Sequence, residues 1–234
     1  MADATLEAYT GVLQRRSAQK RVTPAGDATG TFSGRAHLAA LSRPLEALER
    51  EVERIEGWGR RLARVLLGGG RLLVVGNGGS AAQAQHLTGE LVGRYLDDRP
   101  PFSALALHAE SSSLTAIAND YGVEESFARQ VRAHGRPGDI LLALTTSGRS
   151  ANVIAAVEAA VAGGLTTWAL TGAVPNPVSE LCDDTISVDA PSAPTVQEIH
   201  QIVIHLLCAA VDAEAGTATV SMTERLEDVF RDLG

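Results

Sequence analysis

The chain has 234 residues, of which 45% are hydrophobic, so it is long enough for one large or two small domains with a full core. Its formal net charge of -8 at pH 7, with acidic and basic residues interleaved, disfavours binding to nucleic acid. Two cysteines, Cys182 and Cys208, are too few for a disulfide framework. No apolar run approaches the ~20 residues that span a bilayer, and the start of the sequence lacks a basic-then-apolar signal. We therefore expect a cytoplasmic protein without membrane contact.

Residues 1–34 are predicted to form an N-terminal extension. Apolar residues at helical spacing favour a helix at its start, and a stretch rich in Gly, Thr and Pro follows, which is typical of a loop or a disordered linker. From Ala36 to the first strand, apolar residues recur every three or four positions, which predicts two helices. We expect Pro44 to begin the second stretch and Gly57 to break it. The apolar stripes are long enough to pack on a partner subunit as well as on the domain.

Between residues 72 and 213, short apolar runs alternate with helical segments. This alternation predicts an α/β domain over residues 35–214, with an open parallel sheet that helices cover on both faces. Residues 215–234 are predicted to form a helical tail with an amphipathic segment at 222–233. The predicted strands are 72–75, 102–107, 139–144, 166–170 and 185–188, and the predicted helices after the first strand follow the turn at 76–80 and then span 111–119, 124–133, 151–162 and 195–213.

The first strand runs into the turn Gly76-Asn77-Gly78-Gly79-Ser80 and then into an Ala-rich helix. This order places backbone N–H groups and the Ser80 hydroxyl at a helix N-terminus, where anions bind readily. The turn matches neither the P-loop pattern nor GxGxxG, so nucleotide binding is not indicated. A glycine turn after a strand is also compatible with a plain tight turn.

A second turn, Thr145-Thr146-Ser147-Gly148-Arg149-Ser150, follows the third predicted strand. Its four hydroxyls supply donors without fixed charge, which suits a phosphate monoester. A plain helix N-cap is the alternative role for Ser150. In open parallel sheets ligands bind at the carboxyl ends of strands, where both turns fall. Together the two turns indicate a site for a small phosphorylated molecule.

His86 and Glu90 are four residues apart on the helix that follows the first turn. At ~100° per residue their side chains share one face, which suits acid and base chemistry and equally a plain surface contact. A paired imidazole and carboxylate about two turns from an anion-binding turn favour a catalytic site.

The closing helix carries polar residues among strongly apolar neighbours, and these need partners because they are partly buried. By spacing, His205 pairs best with Gln201 or Glu198, whereas Gln197 lies ~12 Å away along the helix axis. A shared site with Gln197 requires that residue to lie at a frayed helix start or to reach in from the side. A divalent metal held by two His, one Glu and an amide oxygen is chemically reasonable. Spacing alone does not show which of these polar residues share a site with His205.

Five motifs in this order resemble those of the phosphoheptose isomerases, single-domain members of the sugar isomerase (SIS) group. They are GNGGS with His86 and Glu90 behind it, GRY, AND at 118–120, TSGxSxN at 146–152 and QEIHxxxIH at 197–205. The similarity runs from about residue 36 to about residue 213. It implies a doubly wound, five-stranded parallel sheet and a homotetramer with active sites between subunits.

The same resemblance implies an aldose–ketose isomerase that interconverts sedoheptulose 7-phosphate and D-glycero-D-manno-heptose 7-phosphate through an enediol. Glu90 would be the base and His205 the acid, and one zinc ion per subunit would be held by His86, Glu90, Gln197 and His205. The residues implied to contact the substrate are Asn77, Gly78, Gly79, Ser80, Glu90, Asn119, Asp120, Thr145, Thr146, Ser147, Ser150 and Gln197.

The chain departs from the family pattern at three places: Thr145 stands where relatives commonly have Ser, Arg149 replaces a small polar residue, and 192–195 lacks the charges that many relatives carry. Arg149 either contacts phosphate or faces water. Two rival interpretations share the fold: an SIS protein that binds the bacterial replication initiator, and a phosphosugar-sensing module without turnover. The presence of both Glu90 and His205 favours the enzyme.

Overall fold

The computed structural model describes residues 33–216. The predictions of a helix near the start of the chain and of an amphipathic segment at 222–233 fall outside these residues. The domain limits of 35–214 stay a prediction, although the last described helix ends at Glu214. None of the helices within 33–216 combines the length and the apolarity that a bilayer crossing requires.

Between residue 33 and the first strand the structure has three helices where two were predicted: α1 (Gly34–Ala40), α2 (Ser42–Glu49) and α3 (Val52–Leu67). The predicted break at Gly57 is wrong, because α3 continues through it and buries one face of the helix against the core. Gly59 has the more specific role, since a Cβ atom there would lie 2.3 Å from the Cβ atom of Ala210. Close packing between two helices therefore outweighs the low helix propensity of glycine.

All five strands are parallel, in the order β2-β1-β3-β4-β5. This order confirms the doubly wound five-stranded sheet. From β1 the chain adds β2 on one side and β3, β4 and β5 on the other, so the direction of winding switches between β1 and β3. In open α/β sheets the ligand crevice lies at such a switch point, outside the carboxyl ends of the strands. The second strand, predicted over 102–107, spans only 104–106. The strands are β1 (Leu72–Val75), β2 (Ala104–Ala106), β3 (Ile140–Thr145), β4 (Thr166–Thr171) and β5 (Asp184–Ser187).

The helices predicted after the first strand are confirmed, with ends shifted by up to two residues. A five-residue helix was not predicted, although Asn176 before Pro177 is a helix-start signal. Asn176 caps this short helix by accepting a hydrogen bond from the Ser179 N–H at 3.0 Å. The helices are α4 (Gly79–Val92), α5 (Ser111–Tyr121), α6 (Glu125–His134), α7 (Ala151–Ala162), α8 (Pro177–Leu181) and α9 (Ala193–Glu214).

Successive strand residues point to opposite faces and so feed two cores. On one face, Leu72 and Val74 pack with α3, α4 and α9, and on the other, Leu73 and Val75 pack with α6 and α7. Cys208 is buried in the first core, and this burial raises the pKa of its thiol. The helices α4 and α9, which carry the predicted catalytic and zinc-binding residues, therefore lie on the same side of the sheet.

His200 on α9 is fully buried, and its Nε2 atom lies 3.2 Å from the Thr171 carbonyl oxygen at the end of β4. Burial lowers the pKa of His200 to about 4, against a smaller opposing effect of that hydrogen bond. The unfolded chain, with a histidine pKa near 6.5, therefore takes up the proton first as the pH falls. The stability contribution of neutral His200 is complete above pH ~6.5 and is lost as the pH drops toward ~4.

We expect His200 to account for about 2 kcal/mol of the stability lost between pH 7.5 and pH 5. Urea unfolding of wild type and His200→Gln at both pH values measures this contribution, because the variant should lose less stability on acidification. The exposed control His134→Gln should keep the wild-type pH dependence. Equal losses in all three proteins would contradict the assignment.

Candidate active site

The two glycine and hydroxyl turns lie side by side at the crevice, because β1 and β3 are neighbours in the sheet. Their junction is a pair of reciprocal amide hydrogen bonds: Asn77 Nδ2 donates to Asn152 Oδ1 at 2.9 Å, and Asn152 Nδ2 donates to Asn77 Oδ1 at 3.0 Å. Asn152 was not predicted as a site residue, although it closes the TSGxSxN motif. The two turns are thus fixed relative to each other before any ligand binds.

The first turn enters α4 at Gly78, whose φ of +56° lies in the left-handed region that favours glycine. No side chain caps the start of α4, and the Ser80 N–H donates to the Asn77 carbonyl oxygen at 3.1 Å within the turn. Gly79 lies directly against the Gln197 side chain, since a Cβ atom at residue 79 would be 2.6 Å from the Gln197 amide nitrogen. Ser80 is buried at 3% exposure beneath the turn.

The second turn is shaped by its own hydroxyls. Thr145 Oγ1 accepts a hydrogen bond from the Gly148 N–H at 3.1 Å, and Ser147 Oγ accepts one from the Arg149 N–H at 3.3 Å. Ser147 itself is exposed, and Thr146 is half-buried. Ser150 occupies the N-cap position of α7, but its side chain makes no capping hydrogen bond. The plain N-cap role for Ser150 is therefore not observed.

Helices α4 and α9 bring three of the predicted site residues together. His86 Nε2 lies 3.0 Å from His205 Nε2 and 3.4 Å from Glu90 Oε1. Gln201 Nε2 lies 3.1 Å from His205 Nε2, so Gln201 is the amide partner that spacing allowed. Glu198, the alternative partner, instead pairs with His37 at 2.8 Å.

The surroundings of His205 lower the pKa of its imidazole. Burial lowers the pKa of His205, the neighbouring His86 lowers it further, and Glu90 acts in the opposite direction. The ring of Tyr95 lies against His205, with centroids 5.8 Å apart. Burial also raises the pKa of the Tyr95 hydroxyl, with Cys208, Glu90 and Asp212 acting in the same direction. Tyr95 was not singled out from the sequence, although it ends the GRY motif.

Three predicted site residues, Gln197, Asn119 and Asp120, lie apart from this cluster. The Gln197 amide lies against Gly79 at the start of α4. Gly79 precedes His86 by seven residues, so these two residues are ~10 Å apart along the helix axis. Because α9 begins at Ala193, Gln197 is not at a frayed helix start. Asn119 and Asp120 lie exposed on α5, where Asn119 Nδ2 donates to Asp120 Oδ1 at 2.8 Å. Within one chain, these residues are not gathered with the imidazole pair.

A doubly wound sheet with two phosphate-type turns at its switch point, and with an imidazole–carboxylate cluster beside them, defines a sugar-phosphate isomerase of the SIS class. The family model described as SIS domain matches residues 36–172, more than half of the chain. The phosphoheptose isomerase of Streptomyces coelicolor is 62% identical over 177 residues, which are 76% of this chain and 77% of that protein.

Solved structures agree with this class. The chain superposes on phosphoheptose isomerase GmhA from Neisseria gonorrhoeae with a TM-score of 0.70 at 37% identity, and on the phosphoheptose isomerase from Francisella tularensis with 0.72 at 32%. Each match covers 76% of this chain and 96% of the other. The chain therefore belongs to the phosphoheptose isomerase family, and the predicted enzyme class, an aldose–ketose isomerase that acts on a phosphosugar, is confirmed.

Proposed function

We propose that this chain interconverts sedoheptulose 7-phosphate and D-glycero-D-manno-heptose 7-phosphate through an enediol. The observation that carries the proposal is that α4 connects the two parts of the site, with the phosphate-type turn at its start and Glu90 close to its end. Ser80 and Glu90 are ten residues apart, ~15 Å along the axis, a separation that favours a long phosphosugar over a triose phosphate.

The proposed roles follow from the chemistry of the groups. The two turns hold the phosphate ester through backbone N–H groups and hydroxyls. Glu90 removes the proton from the carbon next to the carbonyl and returns it to the adjacent carbon. His205 moves the proton between the two sugar oxygens, and as a neutral imidazole it donates an N–H hydrogen bond without needing to be an imidazolium. The closeness of Glu90 and His205 to His86 supports this division of roles.

Zinc is proposed as the cofactor, with His86, Glu90, Gln197 and His205 as its ligands. Two imidazole nitrogens 3.0 Å apart and a carboxylate oxygen 3.4 Å from one of them are the donor types that zinc prefers. Within 33–216, no group of three or more His, Cys, Asp or Glu side chains is already arranged around a metal position. The fit is therefore one of donor type. When bound, zinc would stabilise negative charge on the enediolate oxygens.

A second copy of the chain is needed for the full ligand set, because Gln197 lies ~10 Å along α4 from His86 within one chain. This requirement supports the proposed homotetramer with sites between subunits. Exposed apolar side chains on the helices before the sheet fit such an assembly, since Leu38 and Leu67 are 68% and 59% exposed.

We expect the purified chain to bind one zinc ion per subunit, and His86→Gln and His205→Gln to lose at least half of it. Loss of one imidazole ligand weakens a zinc site strongly, because few donors hold the ion. Metal analysis after dialysis measures the stoichiometry, with His134→Gln as the surface control. Retention of wild-type zinc by both site variants would contradict the ligand assignment.

The proposed reaction is tested by incubating the wild-type protein with sedoheptulose 7-phosphate and following the aldose product. Unphosphorylated sedoheptulose and fructose 6-phosphate are the matched comparisons, since each removes one feature that the site is proposed to recognise. We expect turnover of the heptulose phosphate and little turnover of the other two. Equal turnover of fructose 6-phosphate would contradict the proposed selectivity for length, and no turnover of the heptulose phosphate would contradict the proposed substrate.

A further inference from the structure

Arg99 is a fully buried arginine whose contacts join the two helices of the site. Its side chain has 0% exposure, and the guanidinium carbon lies 4.7 Å from the centroid of the Phe102 ring. Four oxygen atoms accept hydrogen bonds from it: Asp212 Oδ1 from Nε at 2.7 Å, Glu90 O from Nη2 at 2.7 Å, and Leu91 O and Pro100 O from Nη1 at 2.8 and 3.2 Å.

Two of these acceptors are main-chain carbonyls in the last turn of α4, which ends at Val92. Carbonyls in the last turn of a helix have no partner within that helix, and a buried one must find a donor elsewhere. Arg99 donates to both carbonyls, of which that of Leu91 also accepts from the Phe102 N–H at 3.0 Å, and it places a positive charge at the negative end of the helix dipole. The Glu90 backbone is thereby fixed by a direct hydrogen bond from a rigid, fork-shaped group.

The third strong contact reaches α9. Asp212 lies seven residues, two helical turns, beyond His205, so its ion pair with Arg99 fixes α9 against the end of α4. The same guanidinium thus holds the helix of the proposed base and the helix of the proposed acid. This set of contacts, from Arg99 to Glu90, Leu91, Pro100 and Asp212, is called the Arg99 clamp below.

We propose that Arg99 is a positioning residue that keeps Glu90 in register with His205 through the Arg99 clamp. The inference rests on the proposed function for the roles of Glu90 and His205, whereas the geometry of the clamp is independent of it. Arg99 does not touch the substrate in this assignment. Small displacements of a reacting group cost large factors in rate, so the clamp is expected to act on kcat and not on phosphate binding.

The test is Arg99→Lys, which keeps the charge but cannot form the planar set of four hydrogen bonds. We expect kcat for sedoheptulose 7-phosphate to fall ~10-fold or more, with KM changed by less than ~2-fold, because the phosphate turns lie at the far end of α4. The primary isotope effect with substrate deuterated at the carbon that loses the proton should increase. Hydrogen exchange at the last turn of α4 should become faster.

Arg71→Lys is the matched control, because Arg71 also pairs with a buried carboxylate, Asp139 at 3.3 Å, and donates to a main-chain carbonyl, that of His134 at 3.1 Å. Arg71 lies just before β1, at the amino ends of the strands and therefore opposite the crevice. Arg71→Lys should consequently lose stability with kcat unchanged. Asp212→Asn is the second variant, for use if Arg99→Lys does not fold. It keeps an oxygen acceptor for Arg99 Nε, so the fall in kcat should be smaller than in Arg99→Lys. The isotope effect should increase in the same way.

Three results would overturn the inference: an unchanged kcat per folded site in Arg99→Lys, an equal fall in kcat in Arg71→Lys, or an unchanged isotope effect. The first would leave Arg99 with a purely structural role. An inactive wild type is a distinct result, because it contradicts the proposed function and with it the catalytic meaning of the clamp. An active wild type with an unaffected Arg99→Lys contradicts the clamp alone.

Discussion

Replacing Glu90 with glutamine is expected to lower kcat for isomerisation by about 10³-fold, within the range that a positioned general base contributes. Glutamine keeps the size of the side chain but cannot accept the proton that must leave the carbon. The loss should appear in kcat, because the two turns proposed to bind the phosphate ester lie at the other end of α4. Steady-state kinetics with sedoheptulose 7-phosphate measure kcat, and calorimetric titration with the phosphosugar measures its binding affinity.

The matched control is Glu158→Gln, an exposed glutamate on α7, on the other face of the sheet. It makes the same change of charge and should keep the wild-type kcat. Zinc content is measured in both variants, because Glu90 is also a proposed ligand. A Glu90→Gln protein that keeps more than about a tenth of wild-type kcat would rule out Glu90 as the base, since an amide has no basic site for the proton.

Gly148→Ala is expected to raise KM for the phosphosugar by roughly 100-fold, because a strained turn and an overpacked contact together cost a few kcal/mol. Gly148 has a φ of +62°, and a Cβ atom there would lie 1.8 Å from the Asn176 Oδ1 atom. Asn176 cannot yield easily, since it donates to Thr171 Oγ1 and to the Ala173 carbonyl, both at 3.2 Å, while capping α8. The second phosphate turn must therefore move.

Gly138→Ala provides the control for backbone strain alone. Gly138 has a φ of +90°, a Cβ atom there meets nothing within 4 Å, and the residue precedes β3 at the edge opposite the crevice. Its variant should lose some stability and keep the wild-type KM. Equal KM values for the two alanine variants would show that the geometry of the second turn does not determine phosphosugar binding. Steady-state kinetics and thermal unfolding of both proteins make the comparison.

The position of the two turns followed from the chain alone. Short apolar runs alternating with helical segments leave only a parallel sheet covered on both faces, and the polar turns after the first and third strands must then lie at its carboxyl edge. Four-residue spacing likewise placed His86 with Glu90, and it allowed Gln201, with Glu198 as the alternative, as the partner of His205. These features depend on local periodicity, which a single sequence displays directly.

Other features escaped prediction for physical reasons. The break expected at Gly57 did not occur, because burial of the α3 face against the core outweighs the local cost of glycine. Helix α8 has only five residues, too few to show a period. The place of Gln197 on Gly79, apart from the imidazole pair, depends on how α4 and α9 align, which neither helix encodes by itself.

By itself, the sequence determined the α/β class, the alternation of five strands with the longer helices between them, and the residue types that could bind phosphate and move a proton. Each of these is visible in neighbouring positions of the chain. Only the tertiary structure decided that Asn77 bonds to Asn152, that His86 meets His205, and that Arg99 joins Glu90 to Asp212. The physical reason is that the Asn77–Asn152, His86–His205 and Arg99–Asp212 pairs bring together residues far apart in the chain. Such contacts depend on the burial of the two cores, which fixes the helices on the sheet.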